Sequence, residues 1–358
     1  MKNICFVDYD MSVTGGVEKV TASLANALCC KYKVHIYGIE ETGQLAYELD
    51  DRINYVVYSK GLKRLREAIK ATFRPFIDFV KKNNIDVVIM MGNYPALIVS
   101  FTRFFTSAKY IYCDHGGLMN QWKQKDITAI RFWDGFVAHK VVVLTEKTRK
   151  DYIEKFHIRQ KKVICIYNWI EREVEEVRKP YDVQSRTILS VGRFGKEKGY
   201  DLLVEVARKV LPDNPEWQWH IYGAGETYDE TAKKIKEYGL EEQLILKGNV
   251  KNVYQLYPEY AFLVLTSYRE GLPLVLLEAT AVGLPMISFD IETGPNEIIV
   301  DGENGFLVPP YEVDKMVERI QLLIEDSKMR LKFSECECVK DKFSQQTILA
   351  QWEALIEE

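Results

Sequence analysis

REGLPLVLLE, residues 269–278, sets two glutamates, Glu270 and Glu278, on either side of seven intervening residues. A turn at Gly271 and Pro273 follows the first, and the apolar run from Leu274 to Leu277 leads into the second. Upstream, AFLVLT at 261–266 is a short apolar run closed by polar residues, the pattern of a buried strand. The order is therefore strand, loop with a carboxylate, helix start, and a second carboxylate in the first turns of the helix. In an open α/β sheet, ligands bind beyond the carboxyl ends of strands and against helix N-termini. Two carboxylates in one such crevice suit the hydroxyls of a sugar or a ribose. They repel a bare phosphate, so cations must come from elsewhere. The same spacing also fits a helix-start carboxylate followed by a solvated helix residue.

The cations stand in an earlier strand-to-helix loop. Thr187–Val191 reads as a strand and is followed by GRFGKEKG, residues 192–199. Arg193 can grip a diphosphate in bidentate fashion and Lys198 adds a point charge. This loop belongs to the same sheet edge as Glu270. Residues 217–222 form a strand before Gly223-Ala224-Gly225, and 244–247 form another before Gly248-Asn249-Val250. Met286–Phe289 leads to Gly294-Pro295-Asn296-Glu297, and Gly305–Val308 closes the set.

A comparable series precedes it. Strands are expected at 4–7, 34–37, 53–57, 86–91, 110–113, 140–144 and 163–166. After the first comes a loop, then Gly15-Gly16, then a helix over 17–30 with apolar residues at helical spacing. Paired glycines let backbone approach a ligand and offer free N–H groups to an anion, although a plain tight turn has the same composition. The fifth strand runs into Asp114-His115-Gly116-Gly117, which places His115 at a strand's carboxyl end. Histidine titrates near neutrality and can donate a hydrogen bond or hold negative charge there; a loop histidine bonded to backbone is the plainer alternative. Residues 168–186 are polar and read as a linker. Alternating strands and helices on both sides of it give two doubly wound α/β domains.

At 358 residues, two cores are the expectation. The longest apolar stretch, 87–101, is interrupted by Gly92, Asn93 and Pro95 and falls short of the roughly 18–20 residues that span a bilayer. The opening apolar run is too short for a signal peptide. Seven cysteines without a CxxC pair suit a reducing compartment, and Cys336-x-Cys338 reads as a helix surface rather than a metal site. Residues 1–170 carry 26 Lys and Arg against 17 Asp and Glu, whereas 171–358 carry 22 against 35, for a net charge of −4. A basic half points to an anionic surface, and without aromatic–basic interleaving of the RNA-binding type that surface is membrane, not nucleic acid. Residues 61–82 focus this expectation. Leu62, Leu65, Ile69, Phe73, Phe76, Ile77 and Val80 form an apolar stripe opposite Lys63, Arg64, Arg66, Lys70, Arg74, Lys81 and Lys82, with Pro75 expected to kink or divide the helix. Each basic residue near an anionic membrane is worth about 1 kcal/mol. A helix packed on the sheet with a solvated basic face fits the same stripe.

Taken in order, Gly15-Gly16-Val17-Glu18, Asp114-His115, Gly192-Arg193 with Lys198-Gly199, Glu270 and Glu278 in E-x7-E spacing, and GPNEIIVDGENGFLV at 294–308 resemble the retaining glycosyltransferases of family 4, group 1. The resemblance runs from residue 3 to about 325. It implies a GT-B fold, two Rossmann-like doubly wound domains facing across a cleft. The acceptor domain would be 1–170, joined by a C-terminal helix at 345–358 that crosses back, and the donor domain 171–344. It further implies roles. Arg193 and Lys198 would hold the donor diphosphate, Glu278 the ribose and Glu270 the donor sugar. The N–H groups of Leu274 and Val275 would support the phosphates, and backbone at Val250 the base. Gly15 and Gly16 would let the first domain close on the phosphate, and His115 would touch sugar or acceptor. Pro273 stands where many members have glycine, which bears on one backbone contact.

The implied reaction moves a hexose or N-acetylhexosamine from a nucleotide-sugar, UDP-linked by resemblance, to a glycan or polyprenyl-linked acceptor in cell-surface polysaccharide synthesis. It would take place in the cytoplasm or at the inner membrane face. Catalysis would rest on Glu270, His115, Arg193 and Lys198, with no covalent nucleophile, no cofactor and no metal. Asp8-x-Asp10 looks like the metal-binding DxD of another transferase fold, but its place after the first strand does not suit that fold. The competing readings are a catalytically silent GT-B-like partner subunit and a nucleotide-sugar epimerase or phosphorylase on the same fold. A dehydrogenase is disfavoured by the lack of a complete GxGxxG after any strand.

Overall fold

Short apolar runs become parallel strands whose side chains are hidden on both faces, as crossover helices require. In the computed structural model, which describes residues 1–59 and 65–358, the chain divides into two units: Met1–Asn168 with Ile348–Glu358, and Trp169–Thr347.

The first unit contains β1 (Asn3–Asp8), β2 (Lys33–Glu40), β3 (Asn54–Ser59), β4 (Val87–Met91), β5 (Lys109–Asp114), β6 (Lys140–Val143) and β7 (Val163–Cys165). Its helices are α1 (Gly16–Leu28), α2 (Leu65–Lys82), α3 (Asn93–Val99), α4 (Lys125–Val137) and α5 (Glu146–Phe156). The strands are parallel and lie in the order β3-β2-β1-β4-β5-β6-β7. The order reverses between β1 and β4, which leaves a crevice above their carboxyl ends.

The apolar stretch 87–101 is interrupted where expected, at Gly92, whose φ of 93° lies in the region that favours glycine and which separates β4 from α3. α2 runs unbroken through Pro75. Ala68, Thr72, Phe76 and Val80 are buried on both sides of the proline, and this packing outweighs one lost backbone bond. The stripe of α2 is accordingly spent on the core, where Ala68, Phe76 and Val80 join the cluster that contains Tyr37, Val88 and Tyr110. The part of the basic stretch at 60–64, with Lys63 and Arg64, lies outside the described residues.

The second unit holds β8 (Thr187–Val191), β9 (Gln218–Tyr222), β10 (Leu244–Gly248), β11 (Phe262–Leu265), β12 (Met286–Phe289) and β13 (Gly305–Val308). Its helices are α6 (Arg172–Glu175), α7 (Tyr200–Val210), α8 (Tyr228–Glu237), α9 (Leu274–Val282), α10 (Pro295–Ile298), α11 (Val313–Glu325) and α12 (Ser327–Ser334). The parallel order is β10-β9-β8-β11-β12-β13, so the reversal falls between β8 and β11. Of residues 168–186, expected to form a polar linker, all but Asn168 instead open this unit. Trp169, Ile170 and Val174 are buried, and the Ile170 N–H donates to the Phe343 carbonyl at 2.9 Å. A few apolar anchors among many charges suffice to pin the segment. Cys336-x-Cys338 does not lie on a helix surface, because α12 ends at Ser334; the two sulfurs and the Glu303 carboxylate gather within 4.8 Å of one another.

α13 (Gln345–Glu357) carries the chain back to the first unit at Ile348. Ile348, Trp352, Leu355 and Ile356 are its buried face. Its last carbonyls lack intrahelical partners, and lysines supply them: Lys2 Nζ donates to the Ile356 carbonyl and Lys109 Nζ to that of Leu355, each at 2.7 Å. Tyr32 donates to Glu357 at 2.9 Å. Trp352→Ala should therefore destabilise the first unit by about 3–5 kcal/mol, the usual range for emptying a buried tryptophan site. Urea unfolding read by hydrogen exchange should show β1 and β5 amides losing protection early while those of β8 and β11 keep it.

Candidate active site

In the second unit the loops after β8 and β11 flank the strand-order reversal, and backbone contacts stitch them together. Gly199, between the loop and α7, has a φ of 65°, and a Cβ there would stand 2.1 Å from the Thr266 carbonyl oxygen. Only glycine allows that approach. Thr266 Oγ1 donates to the Gly199 carbonyl at 3.0 Å, and the Tyr268 N–H to that of Glu197 at 2.8 Å. The result brings Lys198 and Glu270 together: Nζ lies 2.6 Å from Oε1. Ser267 donates to the same carboxylate oxygen at 2.7 Å, and Thr293 Oγ1 ties down the Glu270 carbonyl at 2.6 Å.

Arg193 is not drawn into this pair. Its side chain is 74% exposed and sits 2.6 Å from Glu197 Oε1. An exposed ion pair is worth about 0–1 kcal/mol, so an anionic ligand can take Arg193 from Glu197 at small cost. Glu278 stands on α9, where the buried Tyr257 hydroxyl donates to its Oε2 at 3.0 Å. Burial and the Glu278 charge both push the Tyr257 phenol well up, which keeps it a donor. Pro273 caps α9 with its carbonyl, which accepts from Leu276 at 3.1 Å and Leu277 at 3.4 Å, and there is no side-chain cap. Among the described residues no acceptor reaches the N–H of Leu274 or Val275. Val250 is exposed in the loop after β10, two strands out from the reversal.

In the first unit the loops after β1, β4 and β5 enclose a pocket of about 270 Å³ lined by Asp8, Glu18, Asn93, Tyr94, His115 and Arg131 among others. Asp114 fixes the loop that carries His115. Its carboxylate faces Arg131, with Nη2 at 3.1 Å and Nε at 2.9 Å, and accepts from the Tyr152 hydroxyl at 2.7 Å and the Gly116 N–H at 3.0 Å. Asp114 and Arg131 are both buried. A buried pair costs desolvation of both charges, and this one is retained with its lone pairs satisfied, the condition under which such a pair holds geometry. His115 Nε2 is buried and has no partner among the described residues. Burial pushes the His115 imidazole down to about 4 against the opposing pull of Asp114. Against the ordinary imidazole value near neutrality, this leaves the ring neutral at pH 7, with Nε2 available for a hydrogen bond rather than a charge interaction.

Gly15 and Gly16 begin α1 without a positive φ, and a Cβ on Gly15 would meet only the flexible end of Glu18. Val17 and Glu18, not the glycines, line the pocket. Burial raises Glu18 to about 7, the charges of Asp8 and Asp10 adding to the effect, and raises Asp8 to about 6. Asp8 accepts from Thr21 at 2.6 Å, and Asp10 is bonded to Ser12 and Thr42. These two carboxylates organise the loop after β1 instead of pointing jointly at an ion. Sequence reading missed Asp8, Asn93, Tyr94 and Arg131 as pocket residues and Tyr257 as the partner of Glu278. Strand ends are legible, but partners 17 or 38 residues from Asp114 carry no local signal.

Models of two families match in tandem: Glycosyltransferase Family 4 over residues 14–174 and Glycosyl transferases group 1 over 171–336. The chain is a family 4, group 1 glycosyltransferase. It is 26% identical over 358 residues to an uncharacterized glycosyltransferase of Haemophilus influenzae, covering 99% of this chain and 100% of that one. It is 26% identical to the amylovoran biosynthesis glycosyltransferase AmsD of Erwinia amylovora, with 97% of each covered. Among solved structures, a mutant of S. aureus TarM in complex with fondaparinux, alpha-GlcNAc-glycerol and UDP superposes with a TM-score of 0.84 at 17% identity, over 100% of both chains. This likeness identifies the fold as GT-B.

Asp134 of α4 tests the electrostatics beneath this transferase's pocket. It is fully buried, and burial, opposed by the Ser100 hydroxyl and reinforced by the Asp114 charge, lifts it to about 8. The native state therefore holds a proton that the unfolded chain releases near pH 4, and stability is lost as pH rises from about 4 to about 8. Asp134→Asn removes that loss. Its gain in unfolding free energy over wild type should grow by roughly 1 kcal/mol per pH unit between pH 5 and 8 and level off above. Paired denaturation curves across this range check the slope.

Proposed function

We propose that this enzyme is a retaining, metal-independent transferase that moves a hexose or N-acetylhexosamine from a UDP-sugar to a glycan or polyprenyl-linked acceptor in cell-surface polysaccharide synthesis. The observation that carries the reading is the 2.6 Å pair of Lys198 and Glu270 at the strand-order reversal of the second unit. A sugar joined to a diphosphate presents hydroxyls and anionic oxygens a few ångströms apart, and here a carboxylate and an ammonium stand adjacent to receive them. Lys198, Arg193 released from Glu197, and the N–H groups of Leu274 and Val275 stabilise the charge that develops on the leaving diphosphate. Glu270 accepts from the donor sugar's hydroxyls, and Glu278, oriented by Tyr257, from those of the ribose. Backbone near Val250 holds the base.

The bond from anomeric carbon to diphosphate oxygen breaks as the acceptor hydroxyl attacks on the same face, and the departing phosphate oxygen takes that hydroxyl's proton. No protein nucleophile is needed. The pocket of the first unit supports a sugar acceptor: Asp8 and Glu18 line it, which favours hydroxyls over phosphate, and neutral His115 offers one more hydrogen bond. Gly15 and Gly16 place the open start of α1 beside it. UDP is favoured because the TarM complex contains it, and polysaccharide synthesis because the Erwinia relative is an amylovoran biosynthesis glycosyltransferase. A polyprenyl-linked acceptor is held in the bilayer, so the enzyme would meet it from a peripheral position at the inner membrane face; no described helix is long and apolar enough to cross a membrane.

A thermal-shift panel of UDP, GDP, ADP, CMP and NAD tests the donor. A ligand at 100 times its Kd adds about 2.7 kcal/mol, a shift of a few degrees. UDP alone should shift the transition; a response to GDP or ADP instead would replace the donor, and one to NAD would overturn the reading. Lys198→Met should cut kcat at least a hundredfold with the melting temperature of the apoprotein nearly unchanged, and Glu278→Ala should mainly raise the Kd for UDP. Activity should survive EDTA; loss reversed by Mn2+ would end the metal-independent proposal.

A further inference from the structure

Every phenylalanine that the described residues leave exposed lies in two short segments of the first unit. Phe101, Phe104 and Phe105 follow α3 in a 3-10 turn, and Phe132 and Phe136 lie on α4. They are between 43% and 70% exposed. They are held on a rigid base. Phe101 stacks on Trp133 of α4 at 4.5 Å, and the Trp133 indole donates to Ser100 at 3.1 Å. Phe105 meets Phe73 of α2 edge-on at 5.5 Å, and Phe132 meets Phe156 of α5 at 5.4 Å. Isolated exposed apolar side chains need no explanation, but five phenylalanines on two segments that pack together through Phe101 and Trp133 point to an interaction site.

Cations rim the same face. The Arg103 guanidinium lies 5.6 Å from the Phe104 ring, and Lys162 Nζ lies 5.9 Å from the Phe136 ring and donates to the Phe136 carbonyl at 2.6 Å. Burial and the charges of Arg103 and Arg159 push Lys162 down to about 8, which places three cations within range of one another. Among the described residues no carboxylate pairs with Arg103, Arg159 or Lys162. A second copy of this chain docked through a two-fold contact would set these cations against their own images. An anionic surface with an apolar layer beneath satisfies rings and cations together.

We propose that this face, formed by Phe101, Phe104, Phe105, Phe132 and Phe136 with Arg103, Arg159 and Lys162, docks on an anionic lipid bilayer, rings in the interfacial layer and cations at the lipid phosphates. The contact is therefore not the apolar stripe of 61–82, in which Phe76, Ile77 and Val80 are buried and Ile69 packs against the core. The inference rests on the peripheral location proposed above but not on the donor, so the two fail separately.

Co-sedimentation of the full chain with vesicles of phosphatidylglycerol and phosphatidylcholine, against phosphatidylcholine alone, tests it. Wild type should bind the anionic vesicles and lose binding in 0.5 M salt, as a contact with a Debye-screened component does. Phe104→Ser with Phe136→Ser should lower the partition coefficient at least tenfold, and Arg103→Glu with Arg159→Glu likewise. Both variants should keep the wild-type melting temperature and UDP shift, since these side chains are on the surface. Unchanged vesicle binding in the phenylalanine variant overturns the proposal, as does equal binding to neutral vesicles. Loss of binding only on Lys70→Glu with Arg74→Glu would return the contact to α2. A wild-type dimer by size exclusion that the phenylalanine variant turns into monomer would assign the face to a second copy instead.

Discussion

A parallel sheet whose strand order reverses once must leave two adjacent strands whose connections depart to opposite faces. The gap above them cannot be filled by either helix. In the second unit these strands are β8 and β11, and in the first β1 and β4. Everything with chemical capacity follows from this constraint. Lys198 and Glu270 are 72 residues apart, yet pair because each leaves a strand at that gap. The pairing needs the loops close, and closeness is set by backbone: the Thr266 carbonyl occupies the space where a side chain at 199 would begin. Exposed ion pairs contribute too little to enforce such an approach, so the sheet and its glycine set the geometry and the charges exploit it.

The two gaps are chemically unlike. In the second unit cations sit beside carboxylates at the start of an uncapped helix, an environment for a ligand that is anionic at one end and hydroxylated at the other. In the first, burial raises Asp8 to about 6 and Glu18 to about 7 and lowers His115 to about 4, so at pH 7 the imidazole is neutral, Glu18 holds its proton about half the time and Asp8 stays mostly charged. Burial shifts acids and bases in opposite directions toward their uncharged forms, and here it turns a cluster of titratable residues into a hydrogen-bonding wall. The buried ion pair of Asp114 with Arg131 belongs to that wall and fixes its His115 loop.

What could be read in the sequence follows the range of the signal. Strands such as 187–191 and 286–289 are local, each an apolar run with polar ends, and they stand where expected. The loop residues Lys198 and Glu270 were legible for the same reason, since a strand end predicts the edge its loop occupies. Arg193 was legible as a cation but not in its partner, because Glu197 in the same loop competes for it. Tyr257 and Arg131 had no local mark, as their roles arise from packing between elements far apart in the chain. Pro75 misled in the opposite direction: a local rule predicted a break that tertiary burial of Ala68, Phe76 and Val80 overrides.

The basic character of the first half shows the limit of composition as a guide. Periodicity assigns an apolar stripe to a helix but not which surface receives it. α2 has the stronger amphipathic pattern, and its stripe is used by the core. α4 buries Ile127, Arg131 and Asp134 while leaving Phe132 and Phe136 outside, so its apolar residues are divided between two faces. A sequence cannot separate those faces, because phenylalanine scores alike whether it fills a core or waits for a partner. The separation comes from the sheet: once β5 and β6 fix where α4 lies, the polar side that would normally meet water is the side that anchors the His115 loop. The aromatic side is the one left in solvent, next to cations that no carboxylate among the described residues neutralises.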